Sequence, residues 1–322
     1  MTDEKEIRKK MKAIDLTERF KKLVKYRVST GIIALDIITN GGIPSGRLTE
    51  FFGGESTAKS RLVAHIIAEI QRVGGIAVLN DTEKALDQGL VDLTGVNMDA
   101  LIYPDPEEIT SVEDIFKSLE DTINIVKPQY PDKPVAFIWD SVAATPGQKE
   151  LEEEIGRPEA SMLRAKLIGS GLKKYLPAVY KNQITLIFVN QIQDRMNVMF
   201  GDQTTTPGGR QIKFLASLRL GMKIIGAIKD DQTKEQIGTT IQMLVKKSKV
   251  GPPFGIVNFE MPAFDSIDKY AGLMDYMRRH EEVIHLGAGR YQFVGENEPE
   301  WKKDDFSIAY EGWKKRTEKE KT

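Results

Sequence analysis

Between an apolar run, Arg47-Leu48-Thr49-Glu50-Phe51-Phe52, and an amphipathic stretch, Ser60 to Arg72, lies Gly53-Gly54-Glu55-Ser56-Thr57-Ala58-Lys59-Ser60. The spacing is that of G-x-x-x-x-G-K-[ST], a strand-to-helix loop whose backbone N–H groups curl around a β-phosphate. The helix that follows turns its positive end to the anion, Lys59 would reach the β/γ oxygens, and the Ser60 hydroxyl would bind magnesium. Ala58 stands where the second glycine is expected. Its Cβ matters only if the backbone there needs a positive φ. A glycine-rich turn carrying an incidental Lys-Ser pair is the bland alternative, and other residues decide against it.

Working outward, short apolar runs alternate with helical patterns. Gly75 to Asn80, Val135 to Trp139 and Ile184 to Val189 read as buried strands, so with Arg47–Phe52 they imply a parallel sheet covered on both faces. Two carboxylates sit where nucleotide hydrolysis needs them. Asp140 follows Val135–Trp139 and suits a magnesium shell, and Glu83, just past Gly75–Asn80, suits a base for the attacking water. A lone carboxylate at a strand end is usually a helix cap or a surface charge; two of them with the phosphate loop, at three strand ends, indicate an ATP site. From 214 to 261 strand signals follow one another, as an antiparallel extension would. After Pro262 come a helix (Leu273 to Arg279), a hairpin at Gly287 and Gly289, and a helix containing Trp313. The expected division is an N-terminal helical segment (1–27), a core (28–262) and a small α+β domain (263–322).

Composition bounds the rest. The chain has 322 residues, no cysteine, and three histidines (His65, His280, His285), which removes disulfide scaffolds, thiolate catalysis and cysteine zinc sites. No apolar run approaches a membrane span, and the charged start is unlike a signal peptide, so a cytosolic protein is the default. Net charge is −1, which taken alone argues against a nucleic-acid partner. The distribution is uneven: residues 1–27 carry ten basic and five acidic side chains, 105–159 five and fourteen, and 192–249 ten and five. Ile192 to Gln211 shows no sustained periodicity and holds Met196, Val198, Met199 and Phe200 between Arg195 and Arg210. Loops of that length are usually functional.

These residues resemble the RecA-type DNA strand-exchange recombinases. The resemblance is carried by Ser29-Thr30-Gly31, Gly41-Gly42-Ile43-Pro44-Ser45-Gly46-Arg47, the phosphate loop, Asp81-Thr82-Glu83-Lys84-Ala85-Leu86-Asp87, Trp139-Asp140-Ser141, Glu154-Ile155-Gly156, and Phe188-Val189-Asn190-Gln191 with the loop after it. It runs from about 28 to 276. It implies a RecA-like P-loop ATPase core that binds ATP and Mg2+ through Gly53, Gly54, Glu55, Ser56, Thr57, Ala58, Lys59, Ser60, Arg61, Asp87 and Asp140, with Glu83 as base and Gln191 as γ-phosphate sensor. Lys247 and Lys249 would reach the ATP of a neighbouring protomer, much as an arginine finger does. Leu90 stands where the family's adenine-stacking tyrosine is expected.

The resemblance further implies that the 1–27 helix packs on the adjacent protomer to build the filament, that 263–322 gathers duplex DNA, and that two loops, about 154–165 and 192–211, bind DNA. Lys166, Gly169 and Lys173 follow the first, with Gly169 leaving the helix backbone accessible. Arg195, Met196, Asn197, Val198, Met199, Phe200, Thr205, Thr206, Gly208, Gly209 and Arg210 belong to the second. The implied activity is DNA-stimulated ATP hydrolysis by a helical filament on single-stranded DNA that searches duplex DNA for homology and exchanges strands. Single-strand-binding and loader proteins would be its partners, in the cytoplasm of a bacterial cell or a phage-infected host. A phage-type member is expected from the variant second glycine. The alternatives are a hexameric helicase-type motor, and an ATP-switched DNA-coating scaffold that scarcely hydrolyses.

Overall fold

The computed structural model describes residues 24–152, 159–194, 204–295 and 298–319. The expected helix within 1–23, Glu154 to Pro158 of the first loop, and Arg195, Met196, Asn197, Val198, Met199 and Phe200 of the second lie outside them. The strands of the main sheet are β1 (Leu48–Gly53), β2 (Ile76–Asp81), β3 (Leu101–Ile102), β4 (Val135–Asp140), β5 (Thr185–Gln191), β6 (Leu218–Lys229), β7 (Gln236–Ser248) and β8 (Ile256–Pro262). Their order is β8-β7-β6-β1-β5-β4-β2-β3. The run from β6 to β3 is parallel, and β7 and β8 extend the sheet antiparallel. The expected strands are present, each within one or two residues of its sequence reading.

Burial follows from that topology. All six residues of β4 are buried, and β5 is buried to its last residue, because helices cover both faces of a parallel sheet. One face packs on α1 (Ile33–Ile38) and α2 (Lys59–Arg72), with Leu62, Ile66, Ile67 and Ile70 of α2 turned inward at helical spacing. The other packs on α4 (Val112–Asp121) and α5 (Glu159–Asn182), around Phe137, Trp139 and Phe188. Trp139 meets Phe188 and Phe116 edge-on and donates its indole N–H to Thr145 Oγ1 at 2.8 Å, the partner a buried tryptophan requires. A shorter helix, α3 (Gln88–Thr94), follows β2.

The C-terminal part holds α7 (Leu273–Arg279), a three-stranded antiparallel sheet of β9 (Val283–Gly287), β10 (Arg290–Phe293) and β11 (Glu300–Lys302), and α8 (Phe306–Lys319). Phe293, Trp301, Phe306, Tyr310 and Trp313 form its aromatic core. The expected helix, hairpin and tryptophan helix are all there. At the other end, the 27/28 boundary cuts through an anchor. Tyr26 donates its hydroxyl to Gln183 O at 2.8 Å and accepts the Val135 N–H at 3.1 Å, and Arg27–Val28 pairs with Ile43–Pro44. Residues 24–27 are part of the core.

Candidate active site and DNA-facing surface

Register brings the expected residues together at the carboxyl ends of the parallel strands. Gly53 of β1 lies beside Gln191 of β5, and Asp81 of β2 beside Asp140 of β4. In open α/β sheets this edge is where ligands bind. The phosphate loop joins β1 to α2 with Ser56 at φ +56° and Ala58 at φ +58°. The position that lacks its glycine does require a left-handed backbone, so Ala58 is held at a cost.

Lys59 is buried and its Nζ donates to Gly54 O at 2.7 Å, Gly53 O at 3.3 Å and Thr57 Oγ1 at 3.2 Å. Its pKa is lowered by burial, against the pull of Asp140, Glu83 and Glu55. Ser60 hydrogen-bonds Asp140, whose carboxyl is pushed up to about 7, chiefly by burial and further by Glu83 and Asp81. Asp140 Oδ1 is buried without a hydrogen-bond partner. A hydroxyl and an unsatisfied buried carboxylate oxygen beside an anion-binding loop fit a hard divalent cation that completes its shell with phosphate and water.

Glu83 is exposed at the mouth of the site. Its Oε1 accepts the Ser141 hydroxyl and, at 3.1 Å, Gln191 Nε2. Thus the expected base and sensor touch, although 108 residues separate them. Thr82 fixes the turn that carries Glu83: its N–H donates to Asp140 O at 2.7 Å and its hydroxyl accepts the Ser141 N–H at 3.1 Å. Asp87 is the N-cap of α3 and accepts the Leu90 N–H at 2.7 Å; Leu90 itself is half-buried against the core.

Arg61, expected on the nucleotide, is turned toward the end of β8. Its guanidinium donates to the carbonyls of Pro262 and Asp265, tying α2 to the end of β8. Charge attraction to Asp265 supports that placement against the cost of burial.

Behind the sensor runs a buried polar chain that no motif indicated. Asn190 Nδ2 donates to Glu50 Oε1 and to Pro207 O, both at 3.0 Å. Glu50, wholly buried, pairs with Arg219 Nε at 2.5 Å, and that guanidinium lies over the Phe52 ring. Successive residues of β5 face opposite ways. Gln191 therefore meets Glu83 while Asn190 meets Glu50 and the exit of the second loop.

That loop is not irregular throughout 192–211. Gln193–Asp194 pairs with Thr204–Thr205 in a short antiparallel stem, and α6 (Gly209–Leu215) begins inside the range. Gly208 and Gly209 hold φ of +83° and +76°, and a Cβ on Gly209 would come within 2.9 Å of Ala165 Cβ. They turn the chain into α6 against α5. Lys166 and Lys173 are exposed along α5. Gly169 is not accessible: it is buried under Gln211, whose Cγ would be 2.7 Å from a Cβ there, so this glycine lets α5 and α6 approach. Arg210 is exposed, Thr206 is buried, and Thr205 Oγ1 accepts from Lys213 at 3.1 Å. Lys247 Nζ donates to Lys213 O and Phe214 O at 2.6 and 2.9 Å, and Lys249 Nζ to Phe214 O at 2.9 Å. Both lysines cap the C-terminal end of α6, where cations are favoured.

Residues 4–267 match the model of the RecA N-terminal domain family. Among similar proteins, Protein RecA of Rhodopirellula baltica is 38% identical over 262 residues, covering 81% of this chain and 67% of its own. Protein RecA of Rubrobacter xylanophilus is 38% identical over 249 residues, covering 77% and 69%. Protein RecA of Symbiobacterium thermophilum is 34% identical over 282 residues, covering 87% and 77%. These relatives are bacterial proteins, and they do not bear out the expectation of a phage-type member. Among the described residues no helix is long and apolar enough to cross a membrane.

Proposed function

The chain belongs to the RecA family of ATP-dependent recombinases, which are DNA-dependent ATPases, and on that premise we propose how its own residues bind and hydrolyse ATP and pass the result to DNA. Nucleotide enters at the phosphate loop, where Lys59 leaves the carbonyls of Gly53 and Gly54 for the β/γ oxygens. Ser60 and Asp140 would hold Mg2+, which would supply positive charge to the phosphates. Asp87 meets the adenine amino group.

Glu83 accepts the proton of a water whose oxygen attacks the γ-phosphorus, while the bond to the β-bridging oxygen breaks and ADP leaves. Gln191 and Ser141 hold the Glu83 carboxylate before nucleotide arrives. When Gln191 turns to the γ-phosphate, its hydrogen bond to Glu83 is released and the base is freed for water. The same movement acts on the stem of the second loop, two residues on. Lys247 and Lys249 complete the site of a neighbouring protomer in a helical filament.

Single-stranded DNA lies along the second loop, Arg210 and the exposed Lys166 and Lys173, held mainly through its phosphates. The C-terminal part beyond 262 gathers duplex DNA, and the protein works in the bacterial cytoplasm with single-strand-binding and loader proteins. The observation that carries this reading is the Glu83–Gln191 hydrogen bond of 3.1 Å, since it joins the residue read as base to the residue read as loop sensor. ATPase assays with and without single-stranded DNA, joint-molecule assays with homologous and heterologous duplex, and electron microscopy test it together. DNA-stimulated turnover, homology-dependent joints and open filaments are expected; closed rings or filaments without turnover would sink it.

A further inference from the structure

The end of β2 carries a second buried carboxylate with no part in the chemistry described above. Asp81 is in register with Asp140 on the adjacent parallel strand, so the two side chains leave the sheet on the same face. Asp81 is 3% exposed and Asp140 4%. Each carboxylate is satisfied on one side only. Asp81 Oδ2 accepts the Tyr103 hydroxyl at 3.1 Å and the Leu86 N–H at 2.9 Å, while Ser60 bonds Asp140. The Oδ1 atoms of both are buried and have no hydrogen-bond partner.

Buried carboxylates are normally paired with a cation or serve a metal, because an ionised oxygen without a donor is costly. Lys59 attracts Asp140 but donates its hydrogen bonds to Gly53, Gly54 and Thr57, and so leaves both Oδ1 atoms without a donor. Two neighbouring buried acids therefore each carry an oxygen that needs positive charge or a proton donor. A hydrated magnesium ion offers both: the metal binds few protein groups, and its waters donate to surrounding carboxylates.

We propose that Asp81 is a further acceptor of the metal site, its Oδ1 taking a hydrogen bond from a water on the magnesium held by Ser60 and Asp140, with Tyr103 as the residue that positions it. The inference rests on the magnesium reading of Ser60 and Asp140 given above. Tyr103 suits the task because its hydroxyl keeps its proton: burial and then the nearby Asp81 charge push its pKa up to about 12. It fixes one oxygen of the carboxylate and leaves the other to the metal's water. The competing role for Asp81 is structural, a clamp that holds the Leu86 turn, and it would not depend on magnesium.

The test is the affinity of the full chain for a fluorescent, non-hydrolysable ATP analogue, measured in EDTA and at saturating Mg2+. Asp81→Asn keeps the side-chain volume and one oxygen for Tyr103 and Leu86, so the clamp survives. The gain in affinity due to magnesium is expected to shrink about tenfold, as losses of a metal site's supporting partners do, with binding in EDTA unchanged or tighter. Tyr103→Phe should reduce the same gain by a smaller factor, and it carries the test if Asp81→Asn does not fold. The proposal is overturned if both variants keep the full gain, or if they lose affinity equally with and without magnesium. A wild-type chain that binds no tighter with magnesium would bring down the magnesium reading and this inference with it.

Discussion

Ala58 starts α2 at φ +58°, a conformation that costs a residue with a Cβ roughly 1–2 kcal/mol. Glycine there would lose more chain entropy on folding, about 0.5–1 kcal/mol, so Ala58→Gly should be stabilising on balance, by about 1 kcal/mol or less. Thermal denaturation of the nucleotide-free chain checks the sign; an unchanged or lower midpoint would show that the loop does not feel the strain. Lys247 gives a pH signature. Burial, then Lys249 and Arg219, draw its pKa from 10.5 down to about 8. The folded chain thus releases this proton before the unfolded chain does. Stability of the free protein should rise with pH between about 8 and 10.5 on this account. Denaturant titrations inside and below that window should show the rise in the wild type and a smaller one in Lys247→Met.

At the scale of elements, the short helix α6 links the base of the second loop to the lysines of β7 and the loop after it. Lys247 and Lys249 hold its terminal carbonyls in the isolated chain, so reaching a neighbour's phosphates would release the end of α6. Removing either charge is expected to abolish DNA-stimulated ATPase while leaving ATP binding near normal; unchanged turnover in Lys247→Ala and Lys249→Ala would refute a role in trans. The strands β1, β5 and β6 are joined by Glu50, Asn190 and Arg219. Breaking a buried ion pair by neutralising one partner costs about 3–5 kcal/mol. Glu50→Gln should therefore lower the urea midpoint far more than Glu83→Gln, whose carboxylate is exposed. Strand positions were legible because apolar runs of strand length are rare elsewhere in the chain. The two-residue β3 and the stem of the second loop were not, since strands that short carry no periodicity of their own.

For the whole molecule, the N-terminal boundary has a measurable consequence. A chain lacking 1–23 is expected to fold and to lose filament assembly with DNA-stimulated turnover. Removing 1–27 should also cost stability, because Tyr26 is bonded to the Gln183 carbonyl and the Val135 amide. Light scattering with DNA and thermal denaturation separate the two effects; filaments from the shorter deletion would end the assembly role of that segment. Binding to single-stranded DNA should weaken steeply as salt rises, since the groups offered on α5 and α6 are phosphate-seeking cations. A flat salt response would count against that surface. The formal charge of −1 concealed this, because acidic and basic segments cancel in the sum.

The order of motifs along the chain determined the parallel core and placed Lys59, Ser60, Glu83, Asp140 and Gln191, the residues proposed for the site, at or just past the carboxyl ends of its strands. Such information is local: a strand, its end and the turn after it are neighbours in sequence. Tertiary structure alone decided that Arg61 belongs to Pro262 and Asp265, that Gly169 is packing under Gln211, and that Glu50 finds Arg219 across 169 residues. It also set Tyr103 on Asp81 beside Asp140. Those partnerships arise from strand order and register, which bring together residues with no shared local pattern. Burial then makes each pairing matter, because a polar group removed from water must find a partner inside the fold.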